Sequence, residues 1–228
     1  MSREADMQTQ ALVLRATQSR ENDRLITALT EQAGVVRAFA NGAKKPKSPL
    51  HGATQPFAYG SLELARRRDT YTVTGAQAEG IFFGGLAADL TRLALANYFG
   101  ALFIELSPRE ERAPEHLRLA LNALHFLSAG TRPQRLLKAV VEMRLVCMAG
   151  YMPDLEQPWL DCGANRIQLS PAVAGAMRFI CNAPLERAFR FVLPETEMKA
   201  LSAASQEYLQ WQAGKRFEEL GYWEGLCL

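Results

Sequence analysis

The hydrophobic period of the chain changes once, near Ile81, and that change narrows the folds open to it. Before it, apolar residues alternate in short runs. "QTQALVLRAT" (Gln8–Thr17) centres on Leu12 and Leu14, and "NDRLITALTEQAG" (Asn22–Gly34) sets Leu25, Thr27 and Leu29 on one parity. A period of two sends successive side chains to opposite faces, which is the mark of a half-buried strand. Gly34 closes that run and "VVRAFAN" (Val35–Asn41) follows at once, which is hairpin spacing. "QPFAYGSLELARR" (Gln55–Arg67) and "DTYTVTGAQ" (Asp69–Gln77) complete five short runs joined by turn signals. Together they predict a small antiparallel barrel. Helix propensity competes over Leu25–Gln32, so the end of the second strand is the softest boundary.

After Ile81 the spacing turns helical. "LAADLTRLALANYFGALFIEL" carries Leu86, Leu90, Leu93, Ala94, Ala96 and Leu106 near i, i+3, i+4 positions. "APEHLRLALNALHFLSAG" places Pro114 at a first helical position and stops at Gly130. "RPQRLLKAVVEMRLVCMAGY" repeats that design between Pro133 and Gly150, with an apolar stripe from Leu136 to Met148. Residues 151–170 lack a period, and "SPAVAGAMRFICN" and "PETEMKALSAASQEYLQWQAGKRFEEL" read as two further helices. The expected architecture is α+β: a five-stranded barrel over residues 1–80, then a mainly α-helical domain over 81–228 with an irregular segment around 151–180.

Several function classes lack the residues they need. The three histidines show no metal spacing such as HExxH, and His116 and His125 read as structural or surface residues. There is no GxSxG, and no GxGxxG follows a strand. "GAKKPKS" (Gly42–Ser48) lacks the glycine that a phosphate loop sets before its lysine. No nucleophile–base pair can be nominated, so a hydrolase or transferase is the weakest reading and the chain is expected not to be an enzyme. Cys147, Cys162, Cys181 and Cys227 form no CxxC pair, which points to free thiols in a reducing compartment. "DCGAN" (Asp161–Asn165) offers one Cys where a zinc knuckle needs four ligands, so neither metal nor cofactor is expected. "MSREADMQTQ" has no apolar h-region, and the uncharged stretch Leu93–Ile104 falls well short of the roughly 20 residues that span a bilayer. The expectation is a soluble, cytoplasmic protein without a membrane partner.

Charge singles out one segment. The net charge of the chain is +2, and residues 1–80 hold 11 Lys and Arg against 8 Asp and Glu. Arg37, Lys44, Lys45 and Lys47 crowd "RAFANGAKKPKSPL", and Arg66, Arg67 and Arg68 end the next strand. If the strands pair as a meander, these two clusters are neighbours. Phe39, Phe57, Tyr59 and Tyr71 are interleaved with them. Cations that track phosphates beside aromatic faces that stack bases are what single-stranded nucleic acid requires. The plainer alternative is a solvated turn with its aromatics in the core. In the helical half, Arg132, Arg135 and Lys138 crowd one helix start, where cations oppose the macrodipole. They mark either a charged solvent face or a site for an acidic partner.

The ordered segments resemble a known family. "ALVLRATQSRENDRLITALTEQAGVVRAFANGAKKPKSPLHGATQPF" (residues 11–57), "TYTVTGAQAEGIF", "VEMRLVCMAGYMPDL" and "YLQWQAGKRFEEL" are similar to the RecO family of bacterial recombination-repair proteins over nearly the whole chain. The resemblance implies an N-terminal OB-fold barrel, a helical domain and a non-enzymatic mediator role. Such proteins bind single- and double-stranded DNA and anneal complementary strands. With RecR, and in some systems RecF, they load RecA on strands coated by single-stranded DNA-binding protein (SSB), at the nucleoid. It assigns Arg37, Lys44, Lys45 and Lys47 to DNA contact, with Arg66, Arg67 and Arg68 as an extension. It also implies an apolar groove for the acidic SSB tail, which we assign to the region ringed by Arg132, Arg135 and Lys138. Several members carry a four-Cys zinc module after the segment matching "GYMPDL"; here only Cys162 remains of it, so no zinc is carried over. The competing class is a protein-interaction adaptor that does not bind DNA and whose basic loop is incidental.

Overall fold

The computed structural model describes residues 6–68 and 70–227; residues 1–5 of the charged start, Asp69 of the fifth strand run and Leu228 lie outside the described residues. Five strands form first: β1 (Met7–Gln18), β2 (Arg24–Thr30), β3 (Gly34–Ala40), β4 (Ala58–Arg67) and β5 (Thr70–Ile81). A short helix, α1 (Leu50–Ala53), lies between β3 and β4. The strands close into a barrel in the order β1-β2-β3-β5-β4. The alternating pattern sets its two faces. Ala11, Val13, Ile26, Ala28, Val36 and Ala38 point inward with Leu62, Leu64 and Val73, and the small alanines fit a narrow interior. Leu12, Leu14, Leu29 and Val35 point outward and join the core of the helical part. The competition between helix and strand after Leu25 resolves as strand to Thr30, because β2 has a ladder on both sides, against β1 and against β3.

The pairing is not a meander. β3 pairs in parallel with the start of β5, Ala38 opposite Tyr71 and Phe39 opposite Thr72. The long connection through α1 carries β4 back beside β1, Leu12 opposite Tyr59, so β3 is left to close on β5. Phe57 ends that connection at φ 61, and its backbone N–H donates to the Val13 carbonyl at 2.7 Å. Its ring is buried in the helical core.

The helical part comprises α2 (Phe83–Ala87), α3 (Leu90–Leu106), α4 (Pro114–Ala129), α5 (Gln134–Met148), α6 (Pro171–Asn182), α7 (Leu185–Ala188), α8 (Glu195–Ala213) and α9 (Glu218–Leu226). A two-stranded hairpin, β6 (Trp159–Cys162) with β7 (Asn165–Gln168), occupies half of the stretch that has no period in the sequence. The C-terminal run expected as one helix is two, because Gly214 takes φ 64 and caps α8 before α9 begins. α5 lies at the centre, buried from Leu136 to Val146 except at Arg144, between α3, α4, α6 and α8. Gly34 joins the barrel to this body. It holds φ 61 in the β2–β3 turn, and a Cβ there would lie 2.0 Å from the Pro108 carbonyl oxygen. Segment 107–113 can therefore run flat along the turn, with Val35 N–H donating to Pro108 O, Glu110 N–H to Ala33 O and Ala113 N–H to Glu31 O.

Candidate nucleic-acid interface

Ladder register arranges the outer face of β1, β2 and β3 in rows. The first row, Leu12–Leu29–Val35, lies under the helices, and Gly100 lets α3 approach the Leu14 carbonyl to within a Cβ contact of 3.3 Å. The next row is Arg15–Thr27–Arg37, and the one beyond it Thr17–Leu25–Phe39. Helices do not cover these two rows, and they floor a cleft of about 630 Å³ whose walls include Tyr71, Ile104, Arg109 and Glu110. Three guanidinium groups, those of Arg15, Arg37 and Arg109, therefore line one concave strip. Arg15 is held by Glu219 of α9 at 2.9 Å. Arg37 is exposed, and it takes no part in the ion pairs among the described residues.

The basic loop leaves the far end of β3. It is a fixed turn, not a free tether. The Gly42 N–H donates to Asp23 Oδ1 at 2.7 Å and the Lys44 N–H to Asn22 O at 3.0 Å, so the loop is bound to the β1–β2 hairpin. Ala43 is buried beneath it, its carbonyl 3.1 Å from His51 Nδ1. Lys45 and Lys47 stand exposed and Lys44 half-buried. Lys45 and Arg20 border a second depression of about 470 Å³ that continues past the hairpin.

This loop is tied to the β1–β2 hairpin, and no hydrogen bond or ion pair among the described residues joins it to Arg66, Arg67 or Arg68. The three arginines sit at the β4–β5 turn, where Arg66 bonds Glu110 at 2.6 Å and lies 6.0 Å over the Tyr71 ring. Ladder register sets Arg66 level with Tyr71 and Ala38, two residues before the end of β3, while its guanidinium turns back to Glu110, whose N–H donates to Ala33 O. The aromatics divide as well. Phe57 is fully buried, and Tyr59 packs on the helical core, where burial raises its phenol pKa; only Tyr71 and Phe39 remain near the cleft.

Arg15, Arg20 and Arg109 complete the strip and escaped the sequence reading. A bulge between Val13 and Arg15 shifts the register, so Arg15 emerges outside although strict alternation puts it with Ala11 and Val13 inside. Arg109 arrives from the segment that follows α3, a contact set only by the tertiary fold.

The second predicted cluster does not hold together. Lys138 is fully buried: its Nζ lies 2.8 Å from Glu142 Oε1 and donates to Ser202 O at 2.9 Å. Tyr98 Oη and Ser205 Oγ donate to the same carboxylate at 2.7 and 2.6 Å. Lys138 cannot rim a groove, because its side chain is fully enclosed between Glu142 and the Ser202 carbonyl of α8. Burial, then Glu142, pushes the Tyr98 phenol well above its ordinary pKa, which keeps it a donor. Arg132 lies 5.9 Å over the Phe126 ring, outside the groove. Arg135 does border an apolar cleft of about 470 Å³, with Leu193, Met198 and Trp223 as its walls and Glu195 on its rim. His125 is exposed against Phe126 and His116 half-buried, its pKa lowered by that burial.

Comparison with known proteins identifies the lineage. The model of the recombination protein O N-terminal region matches residues 1–82, and that of the recombination protein O C-terminal region matches residues 87–160. The chain belongs to the RecO family. Its OB barrel and helical body are the family's expected fold. Curated proteins similar to it carry the name DNA repair protein RecO. That of Acetivibrio thermocellus is 26% identical, with 95% of each chain covered. That of Desulforudis audaxviator is 35% identical over 75% of this chain and 68% of its own. That of Heliobacterium modesticaldum is 38% identical over 68% of this chain and 55% of its own. The zinc module of some RecO proteins does not fit these residues. Cys162, the one cysteine left of that module, is buried in β6, where burial pushes its thiol up to about 11. Among the described residues there is no group of three or more His, Cys, Asp or Glu that could hold a metal ion. Nor is any described helix long and apolar enough to cross a membrane.

Proposed function

We propose that this RecO chain binds single- and double-stranded DNA along the strip from Arg109 through Arg37 and Arg15 to Arg20 and the loop lysines. The observation that carries the reading is the uncovered Arg15–Thr27–Arg37 row on an OB barrel, in a chain of a DNA-repair family. Guanidinium and ammonium groups there neutralise phosphates without reading bases. Arg66, Arg67 and Arg68 extend the strip past Tyr71. Screening the repulsion between two such strands is enough for annealing, and no bond need be made or broken, so the protein acts as a mediator and not as an enzyme. Residues 1–80 form the DNA-binding unit and residues 81–228 the partner-docking unit. With RecR, and RecF where present, it hands SSB-coated strands to RecA at the nucleoid. The acidic SSB tail docks in the cleft at Arg135, with Arg132 one turn away, and raises the local concentration of the coated strand.

Fluorescence anisotropy of labelled single-stranded DNA at low salt tests the reading. Wild type binds, and Lys44, Lys45 and Lys47 changed together to Ala weaken it several-fold. Retained affinity in that variant, or no binding by wild type, removes it in favour of the adaptor reading. An SSB-tail peptide weakens on Arg135→Glu if the cleft is its seat.

A further inference from the structure

All four cysteines of the chain are free thiols, yet two of them are not apart. Cys147, in the last turn of α5, and Cys181, near the end of α6, have their sulfur atoms 3.3 Å apart. The two positions are 34 residues apart in sequence, so only the packing of α6 on α5 brings them together. Cys181 is buried; Cys147 is half-buried at the edge, beside the exposed Met152, whose sulfur lies 3.6 Å from its own. Arg144, one turn before Cys147 on α5, reaches across to α6 and donates to the carbonyls of Cys181 and Ala183. That fixes the helix pair and brings a permanent cation to the thiols.

We propose that Cys147 and Cys181 are a reversible dithiol–disulfide site that reacts with a hydroperoxide. Sulfur atoms in van der Waals contact need approach by only about 1.2 Å to reach the roughly 2.05 Å of an S–S bond. The two thiols are unequal in the way the reaction needs. Hydrogen bonding from Cys181, then the charge of Arg144, lowers the Cys147 pKa against the effect of its partial burial. The bond to Cys147 and burial push that of Cys181 far above the ordinary thiol range, so Cys181 keeps the proton. The edge position makes Cys147 the attacking thiolate, since the thiolate is the nucleophile and must be reachable. It attacks the peroxide O–O bond, becomes a sulfenic acid and releases hydroxide. Cys181 sulfur then attacks the sulfenic sulfur, forming S–S and expelling a second hydroxide. The Cys181 proton and the proton of the original Cys147 thiol convert both hydroxides to water. Two thiols and one hydrogen peroxide thus give one disulfide and two waters, the thiols losing two electrons. A dithiol reductant reverses the step. The product staples α5 to α6 and closes the loop that contains the β6–β7 hairpin.

The test uses the reduced full chain and one equivalent of hydrogen peroxide. Thiol titration under denaturing conditions is expected to fall from four groups to two. Digestion without reduction, with trypsin and an Asp-specific protease that cuts at Asp154 to part Cys147 from Cys162, then yields a Cys147–Cys181 linked peptide. Dithiothreitol restores four thiols, and Cys227→Ser leaves the link unchanged. Cys181→Ser gives in its place a sulfenic acid on Cys147 that a 1,3-diketone reagent traps. The proposal fails if Cys147 is over-oxidised while Cys181 stays a free thiol, if the links run through Cys227 between chains, or if all four thiols survive. The wild-type measurement decides these outcomes even if a variant does not fold.

Discussion

Replacing Lys138 by Met should unsettle the whole helical body, although the sequence casts this lysine as a surface cation. The substitution keeps the length of the side chain and removes the charge. Glu142 then loses the Nζ at 2.8 Å and keeps only the hydroxyls of Tyr98 and Ser205 against a buried negative charge. The Ser202 carbonyl loses its side-chain donor as well. Breaking one side of a fully buried pair leaves an uncompensated charge and costs about 3–5 kcal/mol. That is a large fraction of the roughly 5–15 kcal/mol that holds a domain together. At about 2–4 °C per kcal/mol for a chain of this size, the melting temperature should fall by roughly 6–20 °C. Adding Glu142→Leu should restore part of the loss, because it removes the stranded charge while leaving only the Tyr98 and Ser205 hydroxyls short of an acceptor. Their cost is about 1–3 kcal/mol each, and Ser205 can still turn to Ser202 O. Urea unfolding of the two single variants and the double variant at pH 7 measures the cycle. A cost below about 1 kcal/mol for Lys138→Met would refute the buried-pair argument, as would a double variant no more stable than the worse single one, since either means that the charges are solvated.

Two further perturbations probe the frame of the cleft. Gly34→Ala forces a side chain to φ 61 and into the Pro108 carbonyl, so it should cost more than the roughly 1 kcal/mol of an ordinary glycine replacement and detach segment 107–113; urea unfolding and amide exchange at Val35 and Glu110 read it. Asp89 caps α3 by accepting from Thr91 N–H at 2.8 Å, and the bond from the Thr91 hydroxyl leads in lowering its carboxyl pKa. A depressed folded pKa gives stability that is present above the unfolded value near 3.9 and lost as pH falls through the folded value. Asp89→Asn should therefore be less stable than wild type at neutral pH by up to about 1 kcal/mol, with the gap closing below pH 4. A gap that persists at pH 2.5 in matched melts would show that the charge is not its source.

Local pattern carried much of the fold and less of the site. All five strands and the helix starts at Pro114 and Pro171 stand in the sequence, because period and end signals are local. Strand order is not local. The parallel closure of β3 on β5 follows from the long return through α1, which no dipeptide announces, and it sets Arg66 level with Ala38 across Tyr71. The central cation of the strip, Arg37, was legible because β3 alternates without interruption. Arg15 was hidden by a bulge and Arg109 by distance in the chain. Lys138 misled because its spacing from Arg132 and Arg135 resembles one charged face. The countersign was Glu142 four residues on, a pair that can share one enclosed site on a helix whose neighbours are Leu137, Val140 and Val141.

In the proposed binding mode DNA lies along the outer face of the barrel between Arg109 and the loop lysines. The salt dependence of single-stranded DNA binding tests it most directly, since each neutralised phosphate adds about 0.7 to the steepness of log K against log salt. Wild type, Arg37→Ala, the triple lysine variant and Lys138→Met are titrated by anisotropy across several salt concentrations, at a temperature where each is folded. Slopes flatter by about 0.7 are expected for Arg37→Ala and by about 2 for the triple variant, with Lys138→Met like wild type. Slopes that are unchanged in the first two variants, or flattened by Lys138→Met, would contradict this binding mode.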